Sequence, residues 1–85
     1  MKHASKNTIQ RLAPFLEQVR RLPSLKEKKP GVYYLRSKAF MHFHEEGVEI
    51  YADVRLTQPG FDRFHCSTKQ QQQELLRLIA KALAC

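Results

Sequence analysis

The fold is decided by residues 40–56, which read FMHFHEEGVEIYADVRL. In the second half of this stretch apolar and polar residues alternate, and this two-residue period is that of a strand with one buried face. The first half carries a similar alternation, with His42 and His44 placed between large apolar residues. We therefore predict a β-hairpin whose turn is Glu46 and Gly47, because glycine readily adopts the positive φ that tight turns require.

This turn predicts which residues face each other across the hairpin. Phe43 would lie opposite Ile50 and His42 opposite Tyr51, so that apolar residues meet apolar partners. A turn longer by one residue would set His42 against Ile50 and mix the two faces. The predicted buried face is Met41, Phe43, Ile50, Ala52, Val54, Phe64 and Cys66.

The opposite face of the predicted sheet is polar and aromatic. Its candidate binding residues are His42, His44, Tyr51, Asp53, Arg55, Arg63 and His65, with Phe40 and Tyr34 beside them. On the strand that follows the hairpin, the same pattern places Asp53 beside His65 and Arg55 beside Arg63. We identify this face as the candidate binding surface.

The whole chain predicts one α+β domain over residues 1–85. Apolar spacings of three and four predict a first helix that ends at Pro23 and is either kinked at Pro14 or begins near Ala13. A capping box that starts at Ser67 predicts a second, amphipathic helix at the end of the chain. Four strands are predicted between the helices, at residues 31–37, 38–45, 47–56 and 61–67.

These elements follow the order α-β-β-β-β-α. Short consecutive strands joined by tight turns favour a two-layer sandwich, in which a four-stranded antiparallel meander carries both helices on one face. We expect residues 1–6 to be disordered and residues 23–30 to form a charged loop.

Composition narrows the classes of function. Fifteen Lys and Arg residues against eight Asp and Glu residues give a formal charge of +7, which attracts polyanions such as nucleic acid. No apolar stretch approaches the ~20 residues that span a bilayer, so we expect no membrane association. The two cysteines form no CxxC motif, and a reducing, cytoplasmic location is the prediction that follows. No sequence motif predicts an organic cofactor.

Metal-binding chemistry is one interpretation of the polar face. His42, His44, Asp53 and His65 are candidate ligands, because imidazole and carboxylate groups bind zinc and related divalent ions. A set of His42, Asp53 and His65 would also suit acid–base or hydrolytic chemistry. Such residues more commonly form an ordinary hydrogen-bonded surface, and an open sheet face offers no pocket that excludes water. Enzymatic activity is therefore the less favoured interpretation.

Three functions are consistent with these residues. The favoured prediction is a non-enzymatic binding or interaction domain that uses the polar-aromatic sheet face, with a protein partner or a second copy of the chain as its ligand. The first alternative is nucleic-acid binding, since Arg55, Arg63 and nearby aromatic residues loosely match a sheet that stacks bases. The second alternative is a metal-binding or hydrolytic site at His42, Asp53 and His65.

The chain also resembles a known family over its C-terminal two thirds. The likeness is carried by Phe40, the His42-x-His44 pair, the Ala52-Asp53-Val54-Arg55 stretch, Phe61-x-Arg63 and the closing amphipathic helix. These features resemble small bacterial proteins of unknown function that carry the label "luciferase domain". The resemblance implies a small two-layer α+β fold and a bacterial cytoplasmic origin, and it assigns no catalytic residue.

Overall fold

The hairpin predicted from residues 40–56 forms the centre of the sheet. In the computed structural model, which describes residues 2–56 and 60–84, β4 (Lys38–Glu46) pairs antiparallel with β5 (Glu49–Val54). Glu46 lies opposite Glu49, so the turn is Gly47 and Val48 rather than Glu46 and Gly47. Gly47 has φ of +62°, as a type II′ turn requires at its first central position.

The observed register of the hairpin differs from the predicted one by two residues. Phe43 lies opposite Ala52 instead of Ile50, and His42 lies opposite Asp53 instead of Tyr51. A shift of two residues keeps every side chain on its predicted face, because side chains alternate with a period of two. The predicted partners were wrong, whereas the predicted alternation of core and polar residues holds from Met41 to His44 in β4 and from Ile50 to Val54 in β5.

The described residues form a six-stranded antiparallel sheet and three helices. The other elements are β1 (Lys2–His3), α1 (Lys6–Arg11), α2 (Ala13–Arg20), β2 (Leu25–Lys29), β3 (Val32–Leu35), β6 (Asp62–His65) and α3 (Lys69–Ala84). The sheet order is β2-β3-β4-β5-β6, and β1 pairs separately with β4. No helix in the described part of the chain is long and apolar enough to cross a membrane.

Two segments that were predicted to lack regular structure contain strands. Residues 1–6, expected to be disordered, contain β1 and the first residue of α1, and residues 23–30, expected to be a loop, contain β2. The predicted four strands and the order α-β-β-β-β-α are therefore incomplete. In β2, Leu25 and Glu27 are half-buried while the lysines are exposed, and lysine-rich edge strands discourage pairing with other chains.

The N-terminal helical region is divided at Leu12, where α1 ends and α2 begins. Pro14 lies in the first turn of α2, where a missing N–H costs nothing, so the second of the two predicted placements is correct. Ser5 caps α1 by accepting a hydrogen bond from the Thr8 N–H. The break allows both short helices to direct apolar residues into one core.

A single hydrophobic cluster joins the helices to the sheet. Its buried members are Leu12, Phe15, Leu16, Val19, Tyr33, Phe40, Met41, Phe43, Ile50, Ala52, Val54, Cys66, Leu75 and Ile79. Phe15 of α2 meets Phe43 of β4 edge to face, with 6.2 Å between ring centroids. Burial raises the pKa of the Cys66 thiol to about 12, as expected for a cysteine that serves packing.

Phe40 belongs to this core and not to the polar face on which it was predicted. Tyr33 pairs with Met41 and Tyr34 pairs with Ala39, so Phe40 is an extra residue on β4. Such a bulge interrupts the alternation of faces, and it turns Phe40 inward to an exposure of 2%.

Gly31 and Gly47 form a matched pair for testing the turns, because both have positive φ. A Cβ at Gly31 (φ +81°) would lie 2.6 Å from Ile9 Cδ1, whereas one at Gly47 (φ +62°) would meet nothing within 4 Å. Gly47→Ala should lower the free energy of unfolding by about 1–2 kcal/mol, through backbone strain alone, and Gly31→Ala should lower it further. Urea denaturation would measure the free energy of unfolding of both variants. The additional loss caused by Gly31→Ala should be smaller in an Ile9→Val background, because valine lacks Cδ1. Equal losses for the two variants would contradict the predicted close approach.

Glu27 ties β2 to its neighbours. Its carboxylate accepts hydrogen bonds from Arg20 Nε (2.7 Å) and Nη2 (3.1 Å) and from the Gly31 N–H (3.1 Å). The hydrogen bonds from Arg20 lower the pKa of Glu27, against the opposing effect of burial. One side chain thus joins the end of α2 to both sides of the β2–β3 turn.

The lowered pKa predicts how Glu27 affects stability with pH. Its contribution is complete above the ordinary glutamate pKa of 4.5 and is lost as the pH falls through the lower value of the folded state. Glu27→Gln should therefore cost about 0.5–1 kcal/mol at pH 7, since Arg20 is partly exposed. This cost should shrink as the pH falls below 4.5, as measured by denaturation at pH 7 and at successively lower pH values, and a pH-independent cost would contradict the assignment.

Candidate metal centre

The register of the sheet brings three polar residues together on one face. Met41, Phe43 and Ala52 belong to the core, so the residues that alternate with them face the other way. On that face His42 lies opposite Asp53, and Asp53 lies opposite Arg63 of β6. The sequence had paired Arg63 with Arg55, and the observed pairing replaces that like-charge contact with an ion pair.

Asp53 is the electrostatic centre of the site. Its Oδ1 accepts a hydrogen bond from Arg63 Nε at 2.7 Å, and its Oδ2 accepts one from Arg63 Nη2 at 2.9 Å. His44 Nε2 lies 3.1 Å from the same Oδ2. The hydrogen bonds from Arg63 hold the pKa of Asp53 below its ordinary value, so this nearly buried side chain is a carboxylate at neutral pH.

This carboxylate determines which nitrogen of His44 is available. A neutral imidazole carries one proton, and the contact with Asp53 places it on Nε2, where it can be donated. The lone pair then lies on Nδ1, which is buried and has no hydrogen-bond partner within the part of the chain that the structure describes. The arrangement is the one that second-sphere carboxylates impose on metal-binding histidines.

His42 presents a second unsatisfied nitrogen. Its Nδ1 is also buried without a partner among residues 2–56 and 60–84. Burial lowers the pKa of His42, which keeps its imidazole neutral and able to donate a lone pair. The rings of His42 and His44 stand edge to face with centroids 5.0 Å apart.

The third imidazole comes from β1. His3 lies opposite His44, and the two rings stack with centroids 4.8 Å apart. One ring nitrogen from each of His3, His42 and His44 lies within 4.8 Å of the other two. Three of the four histidines of the chain therefore lie close together, although His3 is distant in the sequence from His42 and His44.

Several contacts hold β1 in place. The Ala4 N–H donates to the Phe43 carbonyl at 3.1 Å, and the Ser5 N–H donates to Glu45 Oε1 at 2.6 Å. Lys2 Nζ also lies 3.9 Å from Glu45 Oε2. These contacts position His3, which sequence reasoning missed because a two-residue strand carries no detectable periodicity.

The predicted site residues are thus only partly brought together. His65 lies opposite Tyr51, with ring centroids 5.1 Å apart, while Asp53 lies opposite Arg63, so the predicted set of His42, Asp53 and His65 does not share one register position. The structure instead groups His42 and His44 with His3.

Both predicted anion-binding arginines have contacts within the chain. Arg63 holds Asp53, and Arg55 Nε donates to the Ala39 carbonyl at 3.0 Å. The Arg55 guanidinium also lies 4.4 Å from the centroid of Phe61, whose ring is 5.0 Å from that of His42. Arg63 therefore contacts His44 through Asp53, and Arg55 contacts His42 through Phe61.

The chemistry of the cluster suits a metal ion of the zinc type. Zinc bonds to imidazole nitrogen at 2.0–2.1 Å, so tetrahedral ligand atoms lie about 3.4 Å apart. The three nitrogens lie within 4.8 Å of one another, so binding an ion would require them to move closer together. Three histidines would fill three positions and leave the fourth for water or another ligand.

No protein family, curated protein or solved structure matches this chain in the comparisons made.

Proposed function

We propose that the protein binds a divalent transition-metal ion through His3, His42 and His44. The contact of His44 Nε2 with Asp53 carries the proposal, because a neutral His44 then has its lone pair on Nδ1, which is buried without a partner among the described residues. One ring nitrogen of His44 also lies within 4.8 Å of a ring nitrogen of His3 and of His42. Asp53 would act as the residue that orients His44 and would not bind the ion itself.

The unsatisfied nitrogens favour a metal over an ordinary polar surface. A buried polar atom without a hydrogen bond costs about 1–3 kcal/mol, and His42 and His44 each contribute one such atom within the described residues. A bound cation would accept both lone pairs and remove this cost. Imidazole ligands suit zinc, copper, iron and nickel, and zinc is the ion we propose.

The proposed role is binding rather than catalysis. We propose that the helices cover the core face of a two-layer domain and leave the face with His42 and His44 without helices, while Asp53 on that face is buried by neighbouring side chains. The expected protein partner or second copy of the chain would then meet the metal face. Nucleic-acid binding has less support, because Arg55 and Arg63 are engaged by contacts within the chain.

Metal titration tests this function. Metal-free protein should bind one equivalent of zinc in calorimetry, and cobalt(II) should give the visible absorption of a four-coordinate site. At free zinc 100-fold above Kd, linkage predicts about 2.7 kcal/mol of added stability. His3→Ala, His42→Ala and His44→Ala should each abolish or greatly weaken binding.

The remaining histidine supplies the control. His65→Ala should bind zinc as the unchanged protein does, because His65 contacts Tyr51 and lies outside the cluster. Failure of the unchanged protein to bind zinc would overturn the proposal, as would equal binding by His65→Ala and His42→Ala.

Asp53 should influence the metal without binding it. Replacing a carboxylate that orients a histidine ligand typically lowers metal affinity 10–100-fold. We therefore expect Asp53→Asn to weaken zinc binding by that factor while the 1:1 stoichiometry remains. Glu49→Gln changes another carboxylate of β5, one that contacts Ser67, and should leave affinity unchanged. Far-UV circular dichroism would verify folding, and unaltered affinity in folded Asp53→Asn would contradict the assigned role.

A further inference from the structure

A groove opens beside the histidine cluster where the sheet is incomplete. Along the edge of β4 that faces away from β5, β3 pairs as far as Met41, and β1 begins pairing at His44. His42 lies in the interval between these two strands. The resulting groove has a volume of about 750 Å³, which lies within the range of small-molecule sites.

The wall of the groove is largely apolar. Its apolar and aromatic lining residues are Ala4, Ile9, Pro30, Val32, Tyr34, Ala39 and Phe43. His3 and His42 form one part of the wall, so the groove adjoins the proposed metal position. Tyr34 is held by Lys28, whose Nζ lies 5.0 Å from the centroid of its ring.

The charge of the groove is positive. Lys6 and Lys29 line it, and no Asp or Glu is among its lining residues. Within residues 2–56 and 60–84, neither ammonium group has an ion-pair partner, whereas Lys2 is paired with Glu45. Both lysines are exposed, and an apolar cavity with two lysines in its lining is complementary to an anion that carries an apolar body.

We infer that this groove binds a small organic carboxylate with an aromatic or branched apolar body. The carboxylate lies with Lys6 and Lys29, and the apolar body packs against Ile9, Val32 and Phe43. This inference goes beyond the metal site and does not require it. A zinc ion at the histidines would add positive charge at the groove and strengthen the binding of the same anion.

Matched probes separate the two features of the ligand. 2-Naphthoate carries the charge and the ring system, and 2-naphthamide keeps the rings without the charge. Titrations followed by ¹⁵N NMR should shift the amide signals of Gly31, Val32 and Ala39 with either probe. Naphthoate should bind about tenfold more tightly, since a charge-assisted hydrogen bond exceeds a neutral one by roughly that factor.

Variants of groove residues locate the site. Lys6→Gln with Lys29→Gln should bring the affinity for naphthoate down to that for naphthamide, and Lys69→Gln, on α3, should change neither. Gln10→Trp places a bulky group at an exposed position of the lining and should block both probes without disturbing the core. Equal affinity for the two probes, or shifts confined to residues outside the groove, would overturn the inference.

Titration with and without zinc distinguishes this inference from the proposed function. Naphthoate binding by metal-free protein that fails to bind zinc would support the groove and overturn the metal site. Zinc binding without any naphthoate binding would support the metal site and overturn the groove.

Discussion

The two-residue turn at Gly47 and Val48 is the constraint on which the rest of the structure depends. Because Gly47 adopts φ of +62°, the chain reverses there, and Glu46 is placed opposite Glu49. The register of β4 and β5 follows from that pair, and it brings Asp53 opposite His42. A register two residues away would bury the same apolar side chains, but it would move Asp53 away from His42 and His44.

In this register Asp53 contacts both Arg63 and His44. The Arg63 guanidinium binds both of its oxygens and keeps it ionised, while His44 contacts Oδ2. A nearly buried carboxylate is tolerated because it is paired and hydrogen-bonded. The contact between Asp53 and His44 favours a proton on Nε2 of a neutral His44, so the carboxylate that pairs with Arg63 would also orient His44 for the proposed metal ion.

The gap between β1 and β3 forms the groove beside the histidine cluster. These two strands use different lengths of the same β4 edge, and His42 lies between them. A continuous strand in this position would fill the groove and cover the imidazole. The short β1 instead delivers His3 to the cluster and leaves an apolar cavity next to it, with Lys6 and Lys29 in its lining. The proposed metal site and the proposed anion site would thus occupy neighbouring parts of one surface.

The sequence by itself determined the α+β class, the central hairpin, and the alternation of core and polar residues from Met41 to His44 and from Ile50 to Val54. These features follow from periodicity, which is a local property that one strand or helix reveals alone. Only the tertiary structure decided the exact partners, because registers two residues apart satisfy the same pattern. The tertiary structure also shows that a bulge turns Phe40 inward, that the lysine-rich residues 25–29 form a strand, and that β1 places His3 next to His44. Each of these features depends on contacts between different strands, which the local sequence pattern does not reveal. His65 was a plausible ligand by type and face, and the register placed it beside Tyr51 instead.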